Sequence, residues 1–448
     1  SKAAVRIGGA PVLGSVDQLP SVVEAYAPDE VLIAVPSASG RQMQRFVEIC
    51  ERANAMFRTV PTLRDVIDGK IAISKFRQVR VEDLLGRDPV NIDLEAVRSR
   101  IANRVVMVTG AAGSIGSELC RQVLEYEPAE LLCVDQSETG IFYLERELSS
   151  QRNGCRQVFM VADIGDTQRM EKIFSQHVPE VVFHAAAYKH VPVMEANVGA
   201  AVTNNVLALL DLLGAADDKG CKSFVLISSD KAVNPTSTMG ATKRIGELII
   251  SRRPSKGMRS VAVRFGNVLG SSGSVIPVLQ EQLRNGKPLT VTHPEIKRFF
   301  MTTREAVSLV LQAFAIGEHG DTLVLDMGKP VKIVDLAQTL IQLSGSKNDE
   351  VEIEFTGLRP GEKLLEELFY PDEIVCETSC PKIKKARHAV RPWSELQSQL
   401  DELRGTLYID GSSPIRAKLK QIIPEYSCSL DTQNISDESL ERRSAIGA

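Results

Sequence analysis

Ser229, Asp230 and Lys231 stand together at the end of an apolar run, Phe224 to Ile227. A carboxylate beside an amine in such a place can exchange protons with a bound hydroxyl or an acidic carbon. The run reads as a buried parallel strand, and open α/β sheets bind ligands where such strands end. After a turn at Asn234-Pro235, Thr238 is placed to cap a helix on which Met239 and Lys243, four residues apart, share one face. That face would look back at Asp230 and Lys231. A thioether neither gives nor takes a proton at ordinary pH, so Lys243 is the member of the pair that can act, through its charge. The same residues also suit a capped surface helix after a core strand.

A second group of residues could hold a phosphate. The strand Val105 to Thr109 runs into Gly110, Gly113, Ser114, Ile115 and Gly116, then a helix from Ser117 to Leu124, and Asp135 ends the next strand. Missing β-carbons let the backbone approach a pyrophosphate at the helix amino terminus, while Asp135 can accept hydrogen bonds from an adenosine ribose. In this strand, turn, helix, strand, acid context the glycines predict dinucleotide binding, and an acid at 135 favours NAD over NADP. Val158 to Val161 ends in Asp163 and Ile164, and Val181 to Phe183 in His184, Ala185, Ala186, Ala187, Tyr188, Lys189 and His190. Small residues there leave room for a flat cofactor, or for a tight helix-sheet contact. His184 reads as structural; His190 is left open.

The elements around these groups follow from composition and pattern. With 448 residues, 43% apolar and 25% charged, the chain can form two to three domains of a soluble globular protein. A net charge of −4 argues against a general nucleic-acid binder, which needs a cationic surface. Eight scattered cysteines, Cys133 and Cys221 inside apolar strands, suit a reduced cytoplasmic setting. Cys376, Cys380 and His388 match no common zinc spacing, so no metal is expected. No run of about 18 apolar residues is read, hence no membrane span in this chain, and no signal peptide is recognised.

Val31 to Val35, Ser37 to Ala53 and Phe57 to Val60 alternate as strand, helix and strand, a series that lacks the glycine-rich opening turn of such a unit. We expect an upstream region, a linker between Ile71 and Pro89 around Gly86, and a docking role without chemistry for this part. The expected domains are 1–88, 89–425 and a disordered polar tail, 426–448. Leu396, Leu400, Leu403 and Leu407 recur at helical spacing and read as core.

Gly110 to Gly116, Asp163-Ile164, Ala185 to Ala187 and Lys243 together resemble the extended short-chain dehydrogenase/reductase superfamily, over about Arg104 to Glu373. Two departures narrow the resemblance: Met239 stands where the superfamily places tyrosine, and Ser229-Asp230-Lys231 where sugar-nucleotide 4,6-dehydratases carry Thr-Asp-Glu. Both match the large bacterial UDP-N-acetylglucosamine 4,6-dehydratases of O-antigen, capsule and related glycan synthesis. The resemblance implies a Rossmann doubly wound parallel sheet with a smaller α/β substrate-binding lobe, preceded by a degenerate Rossmann-like α/β domain. It implies NAD as cofactor, UDP-N-acetylglucosamine as substrate and a homo-oligomer paired through helices of the catalytic domain. It also implies a parent protein anchored at the cytoplasmic face of the bacterial inner membrane.

Asn267, in the loop after Arg264, would contact the diphosphate, and Arg298 and Arg359 the diphosphate and uridine ribose, with Lys189 and Glu362 in the same substrate site. The implied reaction takes a hydride from C4, loses water across C5 and C6, and returns the hydride to C6. With no tyrosine, Asp230, Ser229 or a water must serve the hydroxyl, and Lys231 is the candidate C5 base if a desolvated site near Lys243 lowers its pKa. Retention at C5 is expected. A C5-inverting dehydratase, a sugar-nucleotide 4-epimerase and a non-catalytic NAD-responsive scaffold are the alternatives.

Overall fold

Runs rich in β-branched residues form the central sheet. Its strands are Val105–Thr109 (β1), Glu130–Asp135 (β2), Arg156–Val161 (β3), Val181–His184 (β4), Ser223–Ile227 (β5), Arg259–Arg264 (β6), Thr322–Leu325 (β7), Ile374–Glu377 (β8) and Ile383–Arg387 (β9). In this computed structural model, which describes residues 6–60, 79, 83, 92–149, 154–344, 351–387 and 392–427, they lie in the order 8-9-7-6-5-4-1-2-3. β1 to β7 are parallel; β9 pairs antiparallel with β7, and β8 with β9. The order reverses at β1, between β4 and β2, where a doubly wound sheet opens a crevice at its carboxyl edge.

Alternation along each strand fills two cores. Val106 and Val108 of β1 pack in one cluster with Leu119 and Val123 of the Ser114–Leu124 helix and with Leu309 and Phe314 of the Thr303–Ile316 helix. Met107 belongs to the other, with Phe174, Leu212 and Ile245. Leu396, Leu400 and Leu403 join that second core, with Leu407 packed against it, as their spacing predicted. The helical stretch Val198–Asp218 packs into the same core. Its length and hydropathy suffice to cross a bilayer, yet 56% of the window is buried and Val202, Leu209 and Leu212 lie in this core.

The chain divides into two units: Ser1–Pro89 with Val275–Pro294 and Val331–Thr356, and Val90–Ser274 with Glu295–Pro330 and Gly357–Ala448. The expected linear division at residue 88 therefore differs from the observed grouping, because two later segments cluster with the first. In the first unit Val31–Ile33 and Phe57–Thr59 pair in parallel around the Gly40–Arg52 helix, close to the expected strand, helix, strand series. Leu343, at the end of the Ile333–Leu343 helix, packs on Ile33, Met43, Val47 and Cys50. The linker Ile71–Pro89, His388 and most of the tail from Cys428 lie outside the described residues, apart from Val79 and Asp83.

Candidate functional site

The turn after β1 is built around two glycines. Gly110 has φ 70°, and a β-carbon there would lie 2.5 Å from Ala186 N; one on Gly116 would lie 1.9 Å from Gly110 O. Gly113 caps the helix, which begins at Ser114 rather than Ser117. Gly110, Gly113, Asp135, Asp163, Ile164 and Ala185 to Ala187 line one cleft of about 560 Å³ at the sheet's reversal point. Asp135 ends β2 and accepts from Ala112 N at 3.0 Å and Ser137 N at 2.9 Å, so its carboxylate is held at the cleft's edge. Asp163 accepts from Gly165 N. Ser114 and Ile115 are half-buried in the first turn, Ser114 Oγ accepting from Ser272 N. The cradle that a β-carbon would fill, a helix amino terminus and the acid at 135 together fit a dinucleotide. Gln136, Tyr188 and Asn204 also line this cleft, and sequence reading missed them.

At the end of β5 the backbone turns at once. Ser229 is extended, and Asp230–Ala232 form one 3-10 turn whose Lys231 N donates to Ser229 Oγ. Asp230 is fully buried; its Oδ1 accepts from Ser229 Oγ at 2.9 Å and from Lys231 Nζ at 3.0 Å, while Oδ2 has no hydrogen-bond partner among the described residues. Lys231 Nζ also donates to Asn267 Oδ1 at 3.1 Å. Burial pulls the Lys231 pKa down, but Asp230 and then Glu366 outweigh it, and the ammonium ends above its ordinary value. This corrects the expectation of a depressed Lys231: the charges around it are two carboxylates, opposed by Arg298.

Ser237, not Thr238, caps the Thr238–Arg252 helix, accepting from Gly240 N. Thr238 sits one residue inside, its N–H donating to Glu195 Oε1. Lys243 Nζ donates to Ile227 O at 2.9 Å, and burial brings its pKa down to about 8 against the pull of Glu247. Met239 is 2% exposed and packs with Met194 and Ala201, flanked by Tyr188 and Val191. His184 is structural as expected: buried, 2.8 Å from Thr109 Oγ1 and pushed to about 3 by burial, it is neutral. His190, which was left open, is exposed and lies against Gly273.

A second cavity is lined by Lys231, Ser237, Arg298, Arg359, Glu362 and Glu366, among others. Arg298 is buried and bonds Glu362 Oε1 at 3.2 Å; Arg359 is exposed at the rim, its backbone N–H donating to Glu362 Oε2. Of the expected substrate residues, Lys189 and Asn267 line neither cleft; Lys189 is exposed, and Asn267 is held by Lys231 Nζ. Glu366 was missed. The signal was one more acid in Lys363-Leu-Leu-Glu366-Glu367, nothing local separating a buried carboxylate from its neighbour. Asn205 was missed too: from a π-helical turn its side chain accepts from Tyr188 N and donates to Tyr188 O and Thr242 Oγ1, tying the loop after β4 to the helix of Lys243.

A model of the family described as polysaccharide biosynthesis protein matches residues 106–388. The chain belongs to that family. It is 44% identical over 379 residues to the capsular polysaccharide biosynthesis protein CapD of Staphylococcus aureus, covering 84% of this chain and 63% of that one. It is 43% identical over 405 residues to the probable polysaccharide biosynthesis protein EpsC of Bacillus subtilis, covering 90% and 68%. The chain thus spans less than two thirds of the first relative's length. Pen from Bacillus thuringiensis, a solved structure, is 31% identical with a TM-score of 0.59 over 65% of this chain and 88% of that one. This member of the polysaccharide biosynthesis family is an extended short-chain dehydrogenase/reductase with a Rossmann sheet.

Proposed function

We propose that the chain is an NAD-dependent 4,6-dehydratase that converts UDP-N-acetylglucosamine to the 2-acetamido-2,6-dideoxy-4-keto sugar with retention at C5, in surface-polysaccharide synthesis. The observation that carries this reading is the Asp230–Lys231 pair, 3.0 Å apart, in the turn that ends β5. When bound, NAD supplies the hydride acceptor and later the donor. Gly110, Gly113 and Asp135 would hold it, and Lys243 would set the field beside it. Asp230, with one free oxygen, accepts the C4 hydroxyl proton and later gives it to the C6 hydroxyl as water leaves. Lys231 exchanges the C5 proton. Arg298 and Arg359 provide the planar forks that suit phosphate oxygens, with Asn267 alongside.

A sugar-nucleotide 4-epimerase would use the same two clefts but requires no group at C5, which leaves Lys231 without a task. In the same proposal the protein works as a homo-oligomer at the cytoplasmic face of the inner membrane, and the unit containing residues 1–88 docks without doing chemistry. Incubation with UDP-N-acetylglucosamine in deuterated water, read by NMR, tests the reaction. A 4-keto-6-deoxy product carrying deuterium at C5 with the original configuration is expected. Return of the C4 epimer, inversion at C5 or no change in the sugar overturns the reading.

A further inference from the structure

Glu366 is only 4% exposed, yet it lines the second cavity. Its Oε1 lies 3.5 Å from Lys231 Nζ and 3.8 Å from Arg298 Nε, and Oε2 has no hydrogen-bond partner among the described residues. Leaving a buried oxygen unpaired is costly, so such an atom in a cavity marks a place where a proton or a donor arrives. The segment that carries Glu366 is clasped to the catalytic turn. Tyr370 OH donates to Ala232 O at 2.7 Å, Lys363 Nζ to Val233 O at 2.9 Å and Thr236 Oγ1 to Gly361 O at 2.9 Å. The charged groups facing Lys231 are Asp230 from its own turn, Glu366 from this segment and Arg298 from a short strand.

One ammonium thus meets two carboxylates, and only one of them is needed to serve the hydroxyls. We propose that Glu366 is a positioning residue acting through Lys231: once Asp230 has taken up the C4 hydroxyl proton, Glu366 accepts a proton from the Lys231 ammonium and leaves a neutral amine to act at C5. The inference rests on the dehydratase reading above. In the step itself the N–H bond breaks toward a Glu366 oxygen, giving an amine and a carboxylic acid with no change in net charge. The amine then takes the C5 proton, the C5–H electron pair forms the C5–C6 double bond, and the C6–O bond breaks as Asp230 returns its proton to the leaving hydroxyl. Once the hydride has been returned to C6, reprotonation of C5 by Lys231 lets the amine recover its first proton from Glu366. The site returns to its starting charges. Neutralising Asp230 removes the nearer anion holding Lys231 charged, so the base appears only after C4 has been oxidised.

Glu366→Gln and Glu366→Asp, made in the full chain, test this with UDP-N-acetylglucosamine in deuterated water between about pH 6 and 8. For the glutamine variant, reduced-cofactor absorbance is expected to rise as usual, while C5 deuterium uptake and product formation at neutral pH fall by about a hundredfold to ten-thousandfold. The ratio of its turnover to that of the unmodified chain should climb with pH, because Lys231 must now lose its proton to solvent. The aspartate variant should recover part of the loss with a ratio that stays flat. Unchanged turnover and an unchanged ratio in the glutamine variant overturn the inference alone, as does failure to reduce the cofactor. Should circular dichroism find the glutamine variant unfolded, the aspartate variant decides: slower C5 exchange with a flat ratio supports the inference, and unaltered exchange overturns it. An unmodified chain that leaves C5 and C6 untouched overturns the dehydratase reading and this inference with it.

Discussion

The two clefts of the catalytic unit are built in different ways. The first cleft, proposed for the cofactor, takes most of its walls from the first turns after consecutive strands, β1 to β4, with Asn204 added from a helical turn. The second cavity gathers Val191, Lys231, Arg298 and the 359–366 segment from distant parts of the chain, joined by ion pairs rather than by backbone turns. One cleft is a property of a local motif and the other of tertiary assembly. Substitutions should separate them: backbone and ribose contacts govern binding on the first side, and coupled charges govern chemistry on the second.

The largest expected effect lies behind the second, at the buried Asp230, whose partner Lys231 lines the cavity. Asp230→Asn removes the proposed acceptor for the hydroxyl proton and one anion beside Lys231. Turnover should fall by about a hundredfold to ten-thousandfold with little reduced cofactor appearing after mixing with substrate. NAD affinity, measured by titration, should stay near that of the unmodified chain. A large loss of NAD affinity would break the separation of the clefts.

Lys243 belongs to neither side alone, and its pKa gives a pH-dependent signature. Burial lowers it from 10.5 to about 8. Below pH 8 the folded and unfolded chains both carry the proton, and the burial penalty is in force. Between 8 and 10.5 the unfolded chain still holds a proton that the native chain has released, so stability rises with pH across that window. At roughly 1.4 kcal/mol per unit the whole rise is on the order of 3 kcal/mol. Urea midpoints of Lys243→Met and the unmodified chain should converge as pH rises from about 7 to 10, the variant being the more stable at the lower end. A difference that does not vary with pH would show that Lys243 is not desolvated.

Periodicity and turn residues made the sheet legible: β1 matches its expected bounds, and β2, β4 and β5 end within a residue of theirs. The Val198–Asp218 stretch shows a limit of composition, because a helix buried in the core and a membrane span share it, and only packing tells them apart. The direction of the Lys231 pKa was only partly legible: Asp230, the larger of its two carboxylate causes, is adjacent, but Glu366 lies 135 residues later in the chain. Likewise Ser237 and Thr238 are both residue types that cap helices, serine the stronger. Glu195 decides between them by taking the Thr238 N–H, and nothing in the sequence near 238 announces it.

On the cofactor side, Asp135→Ala should weaken NAD by about 1 to 3 kcal/mol, because Ala112 N and Ser137 N lose their acceptor along with the ribose. The chemistry at C5, followed by deuterium uptake at saturating NAD, should remain within about tenfold of the unmodified chain. Tighter binding of NADP than NAD to the unmodified chain would contradict the role given to Asp135. An Asp135→Ala chain whose C5 exchange collapses at saturating NAD would merge the two clefts into one coupled site.

The smallest effect is expected at Met239, and there a null result is informative. Met239 shares a helix face with Lys243, where a reacting group would stand, yet its side chain is buried with Met194 and Ala201 rather than open to either cleft. Its sulfur has no proton to exchange, so its contribution is volume. Leucine nearly conserves that volume without sulfur, and such swaps typically cost less than about 1.5 kcal/mol. Met239→Leu should therefore keep turnover within about tenfold and shift the urea midpoint slightly. Tyrosine adds bulk and a hydroxyl to a filled apolar cluster, and overpacking of this kind costs about 1 to 3 kcal/mol. Met239→Tyr should thus be the less stable of the two and, if the hydroxyl proton passes to Asp230 as proposed, gain no activity. If Met239→Leu abolished cofactor reduction while remaining folded, the sulfur itself would be required at the reacting centre, and the proton path through Asp230 would have to be redrawn.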